Sequence, residues 1–269
     1  MHEGFSFDAL LPGCYDISSF LSTMESLHIA IVPEQIGEWL GLPITNTLLT
    51  SWVVMAILIL FSLWFSRRLA LKPGKVQNFI EMIFAYITDF MDEVLGDRKL
   101  TRFFFPLIAT LFLFIWLSNW MEFLPGFGSI GFAGDCGKAV CEPLFRSVNT
   151  DLNVTIALAL VSVAVTEIAG LWWLGAFSYL KKFFDFSGLL NFFIGLIELI
   201  SEAARLISFS FRLFGNIFAG EVLIVVMTAF LPFFLPGPFM LFELFVGFIQ
   251  AAIFSLLTLF FVKIAITKH

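Results

Sequence analysis

The residues most able to do chemistry in this chain are charged and polar groups set inside apolar stretches. In the stretch from 189 to 230, Glu198, Ser201, Arg205, Ser208, Arg212 and Asn216 recur at steps of three or four. That spacing puts them on one stripe, about 27 Å long on a helix. A charge in the bilayer interior costs about 2.5–3.5 kcal/mol on insertion scales, so each member needs a partner or water. Glu202 stands three residues before Arg205, and that pair reads as a structural ion pair. Arg212 has no acid three or four residues away on its own helix. Its partner must come from another helix or another subunit, and such a charge marks an ion pathway. Gly215, Ala219 and Gly220 are small enough to let another helix approach closely.

Further polar groups lie in the other apolar stretches. Glu243 and Gln250 are seven apart and share a helix face. Glu221 falls about 180° from Arg212 on an ideal helix, so it points away from the stripe and can meet Glu243. Two carboxylates in one low-dielectric pocket cannot both ionise cheaply, so such a pair should hold a proton near neutrality. A hydrogen-bonded acid pair that simply locks two helices is the plainer alternative. Asn119 and Glu122 stand just ahead of Pro125 and suit either a channel lining or a helix end. Glu167 sits among Val and Ala, with no partner assigned by the sequence.

The elements that position these groups follow from composition. Of 269 residues, 59% are hydrophobic and 13% charged. Soluble domains have about 45–50% and about 25%. Mean hydropathy is +0.97. With a net charge of −6, the chain is neither a soluble enzyme nor a nucleic-acid binder. The expected fold is an all-α integral membrane protein: about five membrane-embedded helices plus one interfacial amphipathic helix, the last two forming a long tilted hairpin. The membrane domain covers 48–269, with helices at 48–66, 75–97 (interfacial), 103–124, 152–176, 189–230 and 239–265; residues 1–47 form an extracytoplasmic segment. As a single helix, 189–230 would run about 63 Å against a hydrocarbon core of about 30 Å, so it must either split or tilt strongly. Leu231-Pro232 and Pro236-Gly237-Pro238 turn the chain back after it. In 75–97, apolar Phe79, Ile80, Ile83, Phe84, Ile87, Phe90 and Met91 face away from Gln77, Glu81, Asp89, Asp92 and Glu93. That is a surface helix whose acidic face suits a protein neighbour better than anionic lipid.

Lys and Arg set the orientation. Residues 1–47 have none, and the loop 66–102 begins Arg67, Arg68, Lys72, Lys75. Lys138 and Arg146 lie in the next loop, Lys181 and Lys182 in the one after, and Lys263 and Lys268 at the C-terminus. The N-terminus is therefore expected outside and the C-terminus in the cytoplasm. Cys14, Cys136 and Cys141 fall outside on this reading, and Cys136 and Cys141 form either a local disulfide or two free thiols. The cysteines and histidines make no familiar metal-ligand spacing, and no cofactor is expected.

The run from Arg212 through Asn216 to Glu221 resembles the signature of subunit a of F-type ATP synthases. Glu198, Gln250, the Asn119/Glu122 pair and the Asp151-Leu152-Asn153-Val154-Thr155 run fit as well. The resemblance covers about 45–269 and is most specific over 198–221. It implies a stator subunit with two offset half-channels that protonate and deprotonate carboxylates on a rotating ring of subunit c. Arg212 would be the arginine that faces the ring carboxylate and prevents a short circuit. Glu221, Glu243, Asn216 and Gln250 would belong to the outer half-channel, Glu198 to the cytoplasmic one. Asn119, Glu122, Ser201 and Ser208 are counted with the proton pathway. The chain departs from the family pattern in carrying Glu at both 221 and 243, where a histidine often takes one place. The implied partners are the subunit c ring, the subunit b peripheral stalk, the lipid bilayer and protons, with Na⁺ as the other candidate ion and no nucleic acid. A bacterial plasma (inner) membrane fits better than a thylakoid. No nucleotide motif is present, so ATP chemistry would belong to other subunits of the complex. The rival reading is a stand-alone ion-coupled secondary transporter or channel, which would normally show inverted repeats. A purely structural scaffold leaves Arg212 and the stripe unexplained.

Overall fold

A computed structural model describes residues 35–39, 42–70, 72–124, 145–175, 179, 189–230 and 234–267. Residues 1–34, Lys138, the Cys136/Cys141 pair, Lys181, Lys182 and Lys268 lie outside the described residues. The described residues begin with an antiparallel pair, β1 (Gln35–Trp39) and β2 (Leu42–Thr45). Among the described residues six α-helices follow: α1 (Asn46–Arg67), α2 (Lys75–Leu95), α3 (Arg98–Met121), α4 (Leu152–Leu174), α5 (Leu189–Phe230) and α6 (Pro236–Ile266). A short 3₁₀ turn, Val148–Thr150, precedes α4. All but α2 are long and apolar enough to cross a membrane.

Helix starts follow local capping chemistry. The side chains of Thr45, Asp97 and Asp151 accept backbone N–H bonds at the starts of α1, α3 and α4. Asp97 moves the start of α3 to Arg98, ahead of the apolar run at 103. At the end of α2, Gly96 adopts φ 74° and its N–H donates to the Asp92 carbonyl at 2.8 Å. A glycine takes that left-handed conformation without the Cβ penalty.

Of the two arrangements open for 189–230, the structure adopts the unbroken one: α5 is a single helix of 42 residues. It packs against α4 and α6 and forms a hairpin with α6, which begins at Pro236. Pro suits the first turn of a helix, where its missing N–H costs nothing.

Among the described residues, Val54 of α1 packs on Met121 of α3, and two larger apolar clusters hold the rest of the bundle together. In one, Met91 and Leu95 of α2 pack with Phe104 and Ile108 of α3, Ala169 of α4, and Leu259 and Val262 of α6. In the other, Ile115, Ala159, Phe209, Leu213, Ala251 and Phe254 join α3, α4, α5 and α6. Only the C-terminal end of α2 is thus buried. Phe79, Met82 and Ile83 remain exposed, the pattern of a helix resting on an apolar surface.

Candidate functional site

The polar residues singled out by spacing fall into two groups. The first is the stripe on α5. Its bonds are mostly local: the Ser201 hydroxyl donates to the Ile197 carbonyl at 2.9 Å, and Arg212 Nη2 donates to Ser208 Oγ at 3.3 Å. Arg205 pairs with Glu202 at 2.8 Å, as the three-residue spacing predicts, and lies 3.9 Å from the Phe261 ring centroid. The Arg212 guanidinium is half-buried, 5.9 Å from the Phe209 ring centroid. No acid among the described residues forms an ion pair with it. Glu198 is half-buried at the start of the stripe.

At the Arg212 end the stripe meets α6. Asn216 Nδ2 donates to Gln250 Oε1 at 3.0 Å, and Gln250 is buried. Glu243, seven residues earlier on the same face, is buried too. A Cβ at Gly220 would collide with the Glu243 carboxylate, so this small residue makes room for the acid itself as well as for a helix.

The second group gathers at the end of the bundle that carries the α5–α6 turn. Asn119 Nδ2 donates to the Gly247 carbonyl at 2.9 Å, and Asn149 Nδ2 donates to Asn119 Oδ1 at 2.6 Å. Trp120 Nε1 donates to the Leu244 carbonyl at 3.1 Å. Asn119 therefore ties α3 to α6 and to the segment ahead of α4. Glu122 caps the C-terminus of α3, the helix-end placement, within electrostatic reach of Glu221, Glu243 and Arg146. Glu221 forms its ion pair with Arg146, Nη2 to Oε2 3.3 Å, while Glu243 acts on it through charge at longer range. Arg146 reaches it because its segment is stitched to α1: its backbone N–H donates to Thr50 Oγ1 at 3.4 Å, and Thr47 Oγ1 donates to Asp151 at 2.9 Å.

Three participants were not singled out from the sequence. Arg146 was counted only as a loop charge, and its partner lies 75 residues away. Asn149 carries no periodic signal. Tyr179 supplies the partner that Glu167 lacked, its hydroxyl donating to Glu167 Oε2 at 2.9 Å. Burial, then the Glu167 hydrogen bond and charge, push the Tyr179 phenol well above its ordinary range, so the proton stays on the tyrosine.

The family described as ATP synthase A chain matches residues 48–263. Among curated proteins, "ATP synthase subunit a, sodium ion specific" of Propionigenium modestum is 32% identical over 97% of this chain and 87% of its own length. "ATP synthase subunit a" of Syntrophobacter fumaroxidans is 35% identical over 87% of this chain and 90% of its own. The protein of that name from Mycobacterium tuberculosis is 32% identical over 89% and 94%.

Proposed function

The chain belongs to the ATP synthase A chain family, ion-translocating stator subunits of F-type ATP synthases, and we propose that Arg212 is the stator charge its rotor carboxylates must pass. The observation that carries this reading is a half-buried guanidinium on a membrane-length helix whose one hydrogen bond is to Ser208, with no acid paired to it among the described residues. A charge so placed is supplied with its counterion from outside the chain. A carboxylate on a neighbouring ring of subunit c has the right chemistry. It is neutral when it faces lipid, and beside Arg212 its ionised form is favoured by the opposite charge.

The rest of the path is arranged around that point. Asn216, Gln250, Glu243, Glu221, Asn119 and Glu122 form the polar run toward the hairpin end, the outer half-channel. Glu198, Ser201 and Ser208 line the approach from the other end, the cytoplasmic half-channel. A proton arriving through one neutralises the ring site, which then turns through lipid; a proton leaves through the other. Arg212 remains charged at any working pH and repels protons that would run directly between the two. Each proton brings about 2.3 kcal/mol per 100 mV of potential. The acid-rich face of α2 and the uncovered surface of α1 are places for the peripheral stalk, subunit b. The N-terminus lies outside and the C-terminus in the cytoplasm of a bacterial plasma membrane, as the Lys and Arg distribution requires.

Two measurements test the reading. Copurification should bring down the ring and the stalk; a stand-alone transporter would come down by itself. In the whole complex, Arg212→Ala should abolish ATP-driven ion pumping while the ring remains bound. Full pumping by that variant would refute the assignment. Repeating the wild-type assay with and without Na⁺ separates a sodium-coupled machine, such as the P. modestum relative's name describes, from a proton-coupled one.

A further inference from the structure

Arg146 is a nearly buried charge to which the transport reading gives no task. Its side chain is 10% exposed, and it comes from the segment ahead of α4 rather than from a spanning helix. Titratable groups gather here from every element packed around it: Glu221 of α5 pairs with Arg146, Glu122 at the end of α3 lies within its electrostatic reach, and Glu243 of α6 is coupled to both of those acids. Three carboxylates thus form one cluster, with the guanidinium on its Glu221 and Glu122 side. The guanidinium is permanently charged, and it makes a direct ion pair with Glu221 alone among the described residues. The other two acids differ in a way that matters for protons. Glu243 Oε1 and Glu122 Oε2 are buried and make no hydrogen bond among the described residues. Such oxygens are satisfied by a proton or a water, whereas the Glu221 oxygen already has a cation.

We propose that Arg146 is a positioning residue that fixes Glu221 as a permanent counterion, so that Glu243 and Glu122 carry the moving proton in this half-channel. The proposal rests on the half-channel reading and sharpens it. In the step it describes, an O–H bond forms at a Glu243 or Glu122 oxygen as one on an incoming hydronium breaks, leaving water, and the proton leaves by the reverse exchange. Glu221 neither gains nor loses a proton. The two glutamates at 221 and 243 then have separate tasks, with no need for a histidine at either.

The test is a double-mutant cycle on ATP-driven proton pumping by the whole complex, with Arg212 intact. Glu221→Gln and Arg146→Gln alone should each lower pumping by about tenfold or more, because each leaves a buried charge without its partner. The double variant Arg146→Gln/Glu221→Gln removes both charges and should pump at least about threefold faster than either single variant. Arg146→Lys retains the charge and should also keep most of the rate. If the assembled double variant pumps no better than Glu221→Gln, Glu221 carries protons itself and the proposal fails. A double variant that does not assemble with the ring also overturns it, since a neutral polar pair carries no unpaired charge to disrupt the packing. Should the single variants not assemble, the double variant and Arg146→Lys still decide. Failure of the underlying transport reading looks different: Arg212→Ala, run alongside, would pump normally.

Discussion

The two ends of the polar system are held in opposite ways. At the hairpin end, Asn119, Asn149, Gly247, Arg146 and Glu221 are joined by bonds between residues far apart in sequence, across α3, α5, α6 and the segment ahead of α4. Along the α5 stripe, Ser201, Arg205 and Arg212 bond within three or four residues on their own helix. Long-range bonds build a preformed site, because each group is fixed by several elements at once. Local bonds tie most of the stripe to its own helix, with Asn216 reaching Gln250 of α6. The hairpin end is therefore finished within this chain, whereas the stripe fits the reading in which a partner docks against it.

That contrast can be broken at chosen points. Apart from Arg212 itself, the largest effect should come from Gly220→Ala. The new methyl group meets the far end of the Glu243 side chain, which can swing aside, so the helices should still pack. Misplacing the carboxylate should slow ion flow about ten- to a hundredfold with normal recovery of the complex. Equal loss of assembled protein and transport would show that Gly220 serves helix packing alone.

Asn119→Leu should act in the opposite sense. It strips the Gly247 carbonyl and the Asn149 amide of their shared partner, each loss costing about 1–3 kcal/mol. Thermal stability and yield should fall before transport per assembled complex does. A smaller change is expected from Tyr179→Phe, which removes the hydrogen bond to Glu167 and costs about 1–3 kcal/mol locally. It should raise proteolytic cleavage between α4 and α5 and leave pumping near wild type. A large pumping defect in an intact protein would give Glu167 a place in the pathway.

The smallest effect belongs to Ser208→Ala. Its hydroxyl is a 3.3 Å acceptor on an exposed residue, so its loss should shift stability by less than about 1 kcal/mol. If the stripe awaits a partner, Arg212 keeps its role without that bond.

How much of this was legible in the sequence follows from the range of each interaction. The helices were legible because apolar runs act locally; the caps were not, and Asp97 starts α3 at Arg98, ahead of the apolar run that set the expected start at 103. The Glu202–Arg205 pair was legible for the same reason, since helical spacing alone brings them together. Length posed the problem of 189–230 but left open whether it splits; packing of Phe209, Leu213 and Ile217 along α5 accompanies the unbroken form. The candidate site was only half legible. Spacing put Glu243 with Gln250 and Glu221 opposite Arg212, but one helix cannot show what faces it from another. Arg146 and Asn149 therefore escaped notice. Their signal was indirect: an arginine and an asparagine just before the Asp151 cap must sit where the helix ends meet.

The central claim is that Arg212 is a charge shared with a moving partner, and it is tested most directly by passive proton conduction. The complex would be reconstituted with its catalytic head removed, and wild type compared with Arg212→Ala. The account predicts that the wild type conducts through a turning ring. The variant should either stop conducting or leak without rotation. If the two conduct alike and the ring turns in both, Arg212 is a structural charge and the account is wrong.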